Sequence, residues 1–195
     1  MKQHRARRTH ELFLDAAAVE FAAYGAAGGS LERVVDRTGL TKGALYGHFS
    51  SKSALIAELL AQFDAVWQEL LGQAEAAGGP ALATLDRLLL DLAGRLGRDP
   101  RFGCAMRLVV DEAQLAGGIP PHFPQLRDLF TRLAARAQDQ GELASEPAAE
   151  MVGDTMLTIL LGVRQTTSGN QPEELVARVT KLRDLLLRGC APARR

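Results

Sequence analysis

Hydrogen-bond donors are concentrated in a short stretch of the sequence between residues 41 and 52. They are carried by Thr41, Lys42, Tyr46, His48 and Lys52. At the start of a predicted helix, the Thr41 hydroxyl and the nearby backbone N–H groups can bind a phosphate, helped by the helix dipole. Lys42 can reach a phosphate or a base edge. Side chains of these types at this spacing indicate contact with nucleic acid.

The residues between these donors have a matching chemistry. Gly43 removes a side chain where a helix and DNA would approach closely, and Ala44 is small enough to contact a thymine methyl group. We expect Tyr46 and His48 on the exposed side of the helix, where both can donate to phosphates. Lys52 lies in the first turn of the next predicted helix, where the helix dipole disfavours a cation. That position predicts an external phosphate as its partner.

The charge is divided unevenly along the chain, although its formal net value is zero. Residues 1–53 contain eight basic and five acidic side chains, whereas the remainder contains 15 basic and 18 acidic ones. Arg5, Arg7 and Arg8 form a basic N-terminal arm that can add contacts to the DNA backbone or minor groove. Charge asymmetry of this kind points to nucleic acid or a membrane surface, and a solvated basic face is the alternative.

Composition excludes several classes of protein. With 195 residues, 47% hydrophobic and 24% charged, the chain is globular rather than disordered, as one domain or two small ones. The longest apolar run, Leu157 to Val163, is far too short to span a membrane, and no signal peptide is recognisable. Two cysteines, Cys104 and Cys190, are too few for a disulfide framework and favour the reducing cytoplasm. We expect Cys104 to be buried and Cys190 to be exposed.

Helical periodicity runs through almost the whole sequence, and we predict an all-α fold of about nine helices. Ser30 is a predicted N-cap and an expected DNA contact, and Thr41 is the next predicted N-cap. Two short helices, Leu31–Thr38 and Lys42–Phe49, are separated by a turn that contains Gly39. This is the spacing of a helix-turn-helix, whose second helix enters the major groove.

The run from Gly39 to Leu55 closely resembles the signature of the TetR family of bacterial repressors. Ala17, Phe21, Tyr24-Gly25 and Val34-Val35 resemble the family's first two helices at the expected spacing. The resemblance implies an N-terminal helix-turn-helix DNA-binding domain at residues 1–53 and an effector-binding and dimerisation domain at residues 54–195. Gly47 departs from the pattern, because relatives often have a larger side chain there, and this bears on which bases are read.

The resemblance also implies a homodimer that binds double-stranded operator DNA. Operators read by helix-turn-helix proteins are usually pseudo-palindromes, which a two-fold dimer matches. We expect the interface in the last two helices, Ala148–Ser168 and Glu173–Arg188; the alternative is burial of their apolar residues within one chain. The expected interface residues are Met151, Thr155, Leu160, Val163, Leu175, Val179, Leu182 and Leu186.

A small-molecule effector is the third expected partner, and it would occupy an apolar pocket. The expected lining residues are Phe63, Trp67, Phe102, Met106, Val109, Phe123, Leu126, Phe130 and Met156. Asp111, Gln114, His122 or Arg164 would orient the ligand. The segment 101–143 loosely resembles the receptors for γ-butyrolactone signals.

Catalysis finds no support in the sequence. The four histidines have no metal-like spacing, no nucleophile lies in a recognisable catalytic motif, and we expect neither a metal nor a cofactor. The resemblance to the TetR family implies a ligand-responsive transcriptional regulator, most simply a repressor released from its operator by an apolar effector. The alternative is a helical ligand-binding or interaction module without DNA binding.

Overall fold

A computed structural model of the chain describes residues 2–167 and 171–192. The regular elements of these residues are nine α-helices: α1 (Lys2–Gly28), α2 (Leu31–Thr38), α3 (Lys42–His48), α4 (Lys52–Ala76), α5 (Ala81–Arg98), α6 (Pro100–Leu115), α7 (His122–Asp139), α8 (Ala149–Thr166) and α9 (Pro172–Gly189). The all-α prediction is confirmed. None of the described helices combines the length and the apolar character that a membrane crossing requires.

Local sequence signals account for several of the helix ends. Ser30 is extended, and its Oγ accepts a hydrogen bond from the Glu32 N–H at 3.2 Å. Ser51 Oγ accepts from the Ala54 N–H at 3.0 Å at the start of α4. Asp99 caps α6 through its carboxylate, which accepts from the backbone of Arg101 at 3.0 Å. Each cap satisfies a backbone donor that the first helical turn leaves without a partner.

The first of two structural units comprises Met1–Val66 and Asp99–Ile119. It contains α1, α2, α3, the first part of α4, and α6, with α1 packed against both α2 and α6. Its core consists mainly of Phe13, Leu14, Ala17, Phe21, Val34, Leu45, Phe49, Leu55, Leu59, Cys104 and Leu108. Burial raises the pKa of the Cys104 thiol to about 12, so this side chain acts as a small apolar group, as expected.

The second unit comprises Trp67–Arg98 and Pro120–Arg195. Within it α7 packs against α8, and α5 packs against α9. Gly153 of α8 lies against Thr131 of α7, where an added Cβ would overlap both the side chain and the backbone. Arg183 of α9 and Asp86 of α5 form an ion pair with a 2.6 Å separation between Nη1 and Oδ2. Close packing at Gly153 thus joins α7 to α8, and the ion pair of Arg183 with Asp86 joins α5 to α9.

The predicted exposure of one cysteine differs from the structure. Cys190 was expected to be exposed, but it is buried. The end of α9 lies beside residue 144, where the Cys190 carbonyl oxygen accepts a hydrogen bond from the Ala144 N–H at 2.8 Å.

The predicted domain boundary at residue 53 falls inside α4, and the division into residues 1–53 and 54–195 remains a prediction. The predicted end of the eighth helix at Ser168 lies outside the described residues, as do residue 1, residues 169 and 170, and residues 193–195.

Candidate nucleic-acid interface

The turn between α2 and α3 is built from two local devices. Gly39 adopts the left-handed conformation with φ of 65°, which ends α2 and which glycine adopts without strain. Thr41 then caps α3, its Oγ1 accepting a hydrogen bond from the Ala44 N–H at 3.1 Å. The Thr41 hydroxyl proton stays available for an external acceptor such as a phosphate. The predicted helix-turn-helix is therefore present.

Helix α3 has one buried anchor and a broad exposed surface. Leu45 is fully buried in the core of the first unit, and Phe49, just after the helix, is buried beside it. Lys42, Gly43, Tyr46 and Gly47 are exposed, and we call these four residues the α3 surface. Tyr46 is 49% exposed, although large aromatic side chains are usually buried. Ala44 is half-buried at the edge of this surface.

Lys42 is held by an acidic neighbour on α2. Its Nζ lies 3.1 Å from Glu32 Oε1, and both side chains are more than half exposed. The hydrogen bond with Glu32 raises the pKa of Lys42 above its ordinary value. An exposed ion pair of this kind contributes little to stability. Lys42 can therefore exchange Glu32 for a DNA phosphate or base at low cost.

Glu20 is a buried carboxylate that the sequence analysis missed. Its Oε1 accepts hydrogen bonds from Arg33 Nε at 2.6 Å and from the Ser30 N–H at 3.1 Å, and Arg37 Nε lies 3.5 Å from Oε2. Burial would raise the pKa of Glu20, but the hydrogen bonds from Arg33 and Ser30 outweigh it and lower the pKa. Glu20 thus fixes the start of α2 to α1.

A signal for Glu20 was present in the sequence. Glu20 follows Phe13 and Ala17 at the helical spacing of the apolar stripe of α1, so an acidic residue occupies a position that faces the core. A buried carboxylate requires partners, and the two arginines of the next helix were the nearest candidates.

Lys52 has internal partners in addition to any external one. Its Nζ donates to the carbonyl oxygens of Gly29 at 2.6 Å and Ala27 at 3.3 Å. The argument that its place in the first turn of α4 requires an external phosphate is therefore wrong, because carbonyl oxygens near the end of α1 already accept hydrogen bonds from its ammonium group. Its contact with DNA remains a prediction.

His48 lies at the edge of the core rather than on the exposed side that we predicted. It is half-buried, with ring centroids 5.6 Å from His10 and 6.1 Å from Phe13. His10 in turn stacks on Phe49 at 4.6 Å and pairs with Glu58, Nε2 to Oε1, at 2.5 Å. This cluster ties the end of α3 to α1 and α4.

The predicted basic arm is helical. Arg5, Arg7 and Arg8 are exposed on the first turns of α1, which begins at Lys2. They add positive charge to the same unit as the α3 surface. Their contacts with DNA, like those of Ser30 and the residues 41–52, remain predictions.

The α3 surface leaves room for a side chain at Gly47, and this permits a test of stability. An added Cβ at Gly47 would meet nothing within 4 Å, so Gly47→Ala is expected to raise the free energy of unfolding by about 0.5–1 kcal/mol. At Gly29 the same Cβ would overlap the Phe21 ring, so Gly29→Ala is expected to destabilise by about 1–3 kcal/mol. Urea denaturation of both variants checks the pair, and equal effects would contradict this packing.

Comparison with known proteins identifies the N-terminal region. Residues 13–59 match the model of the bacterial regulatory proteins of the tetR family. These residues form a TetR-family helix-turn-helix region. The match covers α1 to the first turns of α4 and includes the helix-turn-helix.

Two curated proteins are similar to most of the chain. The chain is 26% identical over 165 residues to the HTH-type transcriptional repressor BepR of Brucella suis biovar 1 (strain 1330), an alignment that covers 80% of this chain and 79% of BepR. It is 29% identical over 142 residues to the A-factor receptor protein of Streptomyces griseus, covering 73% of this chain and 49% of the relative. The chain therefore spans about half the length of that receptor.

Solved structures of TetR proteins match over nearly the whole chain. CprB from Streptomyces coelicolor, in complex with its operator sequence, aligns with a TM-score of 0.77 at 26% identity, covering 98% of this chain and 92% of CprB. A γ-butyrolactone receptor aligns with a TM-score of 0.75 at 25% identity, covering 97% and 91%. The chain is a DNA-binding transcriptional regulator, and the comparisons give no support to a module without DNA binding.

A second network in the first unit was also missed by the sequence analysis. Arg101 of α6 reaches Asp15 at 2.7 Å and Glu11 at 2.6 Å on α1, and Gln62 on α4 at 3.3 Å. Its hydrogen bond lowers the pKa of Glu11. Arg101 thus connects α6 to α1 and α4 within the first unit.

The predicted effector-pocket residues are divided between the two units. Phe63, Phe102, Met106 and Val109 belong to the first unit, where the Phe63 and Phe102 rings lie 4.8 Å apart. Trp67, Phe123, Leu126, Phe130 and Met156 belong to the second. Seven of the nine are buried, whereas Val109 and Phe123 are half-buried. Their role in ligand binding remains a prediction.

The predicted dimer residues also fall into two groups. Leu160, Val163, Leu175 and Val179 are buried within the chain, which is the alternative that we had left open. Met151 and Leu182 are exposed, and Thr155 and Leu186 are half-buried. Leu185, which was not predicted, is 64% exposed on α9.

Proposed function

We propose that this chain is a cytoplasmic, homodimeric repressor that binds operator DNA through α3 and releases it when a small apolar effector binds. The observation that carries the proposal is the α3 surface. Lys42, Gly43 and Tyr46 are exposed on a short helix that Leu45 and the Thr41 cap hold rigidly. The printed descriptions of BepR as a repressor and of CprB in complex with its operator support the same function.

Release of DNA would follow from a shift between two conformers. A dimer matched to its operator places two recognition helices about 34 Å apart, one turn of DNA. An effector that prefers a conformer with another spacing lowers the population that fits the operator, in proportion to its differential affinity. Since α4 follows the α3 surface directly in the chain, it is the natural element to transmit such a change.

The proposal is tested by mobility shift on DNA from upstream of the protein's own gene. We expect a retarded complex that competitor DNA of scrambled sequence does not remove, and that a small-molecule extract of the source cells dissociates. A complex that scrambled DNA displaces equally well would refute operator recognition. A specific complex that no extract dissociates would refute release by a small effector made by those cells.

The dimer part of the proposal predicts the effect of a charge on the exposed leucines. Leu182 and Leu185 are exposed on α9, where apolar side chains of this size suit an interface. Leu182→Glu and Leu185→Glu are each expected to convert the dimer to a monomer in light scattering, with unchanged helicity. Ile119→Glu, at a position that is 72% exposed in the first unit, is the matched control and should remain dimeric. Dimeric Leu182→Glu and Leu185→Glu would contradict this interface.

A further inference from the structure

The first unit contains an open cleft that shares Asp111 and Gln114 with the residues expected to orient the effector, but none of the apolar residues predicted for the effector pocket. Its volume is about 730 Å³, and its walls come from the end of α1, the beginning of α4 and the second half of α6. None of the nine predicted effector-pocket residues lines it. Its volume lies within the 300–1,000 Å³ that small-molecule sites occupy.

The walls of this cleft are mainly apolar. Ile56, Ala57 and Leu60 of α4 line one side, and Leu108 and Leu115 of α6 line another. Leu115 is the last residue of α6, and its large apolar side chain is 90% exposed to solvent. A molecule with an apolar body in the cleft would cover these side chains, and the burial would favour binding.

The charged groups at the cleft favour a cation. Arg107 is already engaged: its Nη1 donates to the Ala22 carbonyl, and its Nε lies 3.4 Å from Asp111 Oδ2. Lys52, the neighbouring cation on α4, donates to the carbonyls of Ala27 and Gly29. An anionic ligand would therefore have to displace existing partners to reach either cation.

The acidic groups at the cleft exceed the basic ones. Asp111 and Glu112 both line it, against Arg107 as the single basic lining residue. Glu112 is exposed and follows Asp111 directly, so the negative charge is concentrated on one turn of α6. A positive group placed there gains attraction without displacing any contact that the structure contains.

We propose that this cleft binds an organic cation that carries an apolar, aromatic body. The body lies against the walls from α4 and α6, and the cationic group lies near Glu112. The site needs neither DNA nor any of the nine apolar residues predicted for the effector pocket, so it can be tested separately from the proposed function. Because α1, α4 and α6 all line it, a ligand bound there contacts the helices that support α3.

The test compares two ions of the same shape and opposite charge by isothermal titration calorimetry on the full chain without DNA. Tetraphenylphosphonium is expected to bind, and tetraphenylborate is expected to bind at least about tenfold more weakly. Equal or tighter binding of the borate, or no binding of the phosphonium at millimolar concentration, would overturn the proposal.

Three variants locate the site. Glu112→Gln is expected to weaken phosphonium binding about fivefold, whereas Glu174→Gln, the same charge change at an exposed position on α9, should leave it unchanged. Ala57→Trp places a large side chain at an exposed wall position and is expected to abolish binding with an unchanged Tm. Unaltered binding in both Glu112→Gln and Ala57→Trp would place the phosphonium elsewhere and refute the site.

Discussion

Tyr46→Ala is expected to weaken binding to the operator about 30-fold. Tyr46 is exposed on α3, where its hydroxyl can donate to DNA. A lost hydrogen bond costs about 1 kcal/mol, and a dimer loses it in both half-sites, so about 2 kcal/mol of binding energy disappears. Fluorescence anisotropy with labelled upstream DNA measures the change. Tyr24→Ala, which removes the exposed tyrosine of α1, is the matched control.

Lys42→Ala tests the same surface through its salt dependence. Each lost phosphate contact lowers the slope of log K against log salt by about one, so the dimer should lose about two. Lys181→Ala, an exposed lysine on α9, should leave the slope unchanged. Normal affinity and slope in both Lys42→Ala and Tyr46→Ala, with normal helicity, would show that the α3 surface does not contact the operator.

Glu20→Ala is expected to lower the free energy of unfolding by about 3 kcal/mol. Removing this buried carboxylate leaves the half-exposed Arg33 and the Ser30 N–H without their acceptor, and hydrogen bonds to a charged group contribute about 1.5–3 kcal/mol each. Glu32→Ala, which removes the exposed partner of Lys42, should cost less than about 1 kcal/mol. Urea denaturation measures both, and equal losses would contradict the anchoring role of Glu20.

The same carboxylate makes the fold sensitive to acid. Because the folded protein lowers the pKa of Glu20, its stabilisation is complete above the unfolded value of about 4.3 and disappears as the pH falls through the lower folded value. Stability should therefore fall below about pH 4.3 in the native chain. Glu20→Gln should be less stable at pH 7 and should lose less stability on acidification. A native-like acid dependence in Glu20→Gln would contradict this assignment.

The sequence predicted those features that depend on neighbouring residues. Ser30, Gly39 and Thr41 act within one helical turn, so their types and spacing were sufficient to predict the helix-turn-helix and its caps. Glu20 and Lys52 act on partners ten or more residues away, and spacing within one helix does not show such pairs. The half-buried position of His48 likewise depends on His10, on another helix.

Apolar patterns were less informative about the second half of the chain. The periodicity of α8 and α9 indicates which residues are buried from solvent, but burial inside one chain and burial between two chains require the same residue types. Leu160 and Val179 therefore looked like interface residues, although they are core residues of the second unit. The cleft in the first unit was not predicted, because its walls come from three helices that are far apart in sequence.

The central claim is that α3 reads an operator as part of a dimer, and footprinting of the full chain on its upstream DNA tests it most directly. We expect protection of a pseudo-palindrome whose half-site centres lie one helical turn, about 10 base pairs, or a multiple of it apart. Tyr46→Ala at the same protein concentration should lose this protection. Protection of a single half-site without two-fold symmetry, or a footprint that Tyr46→Ala preserves in full, would contradict the account.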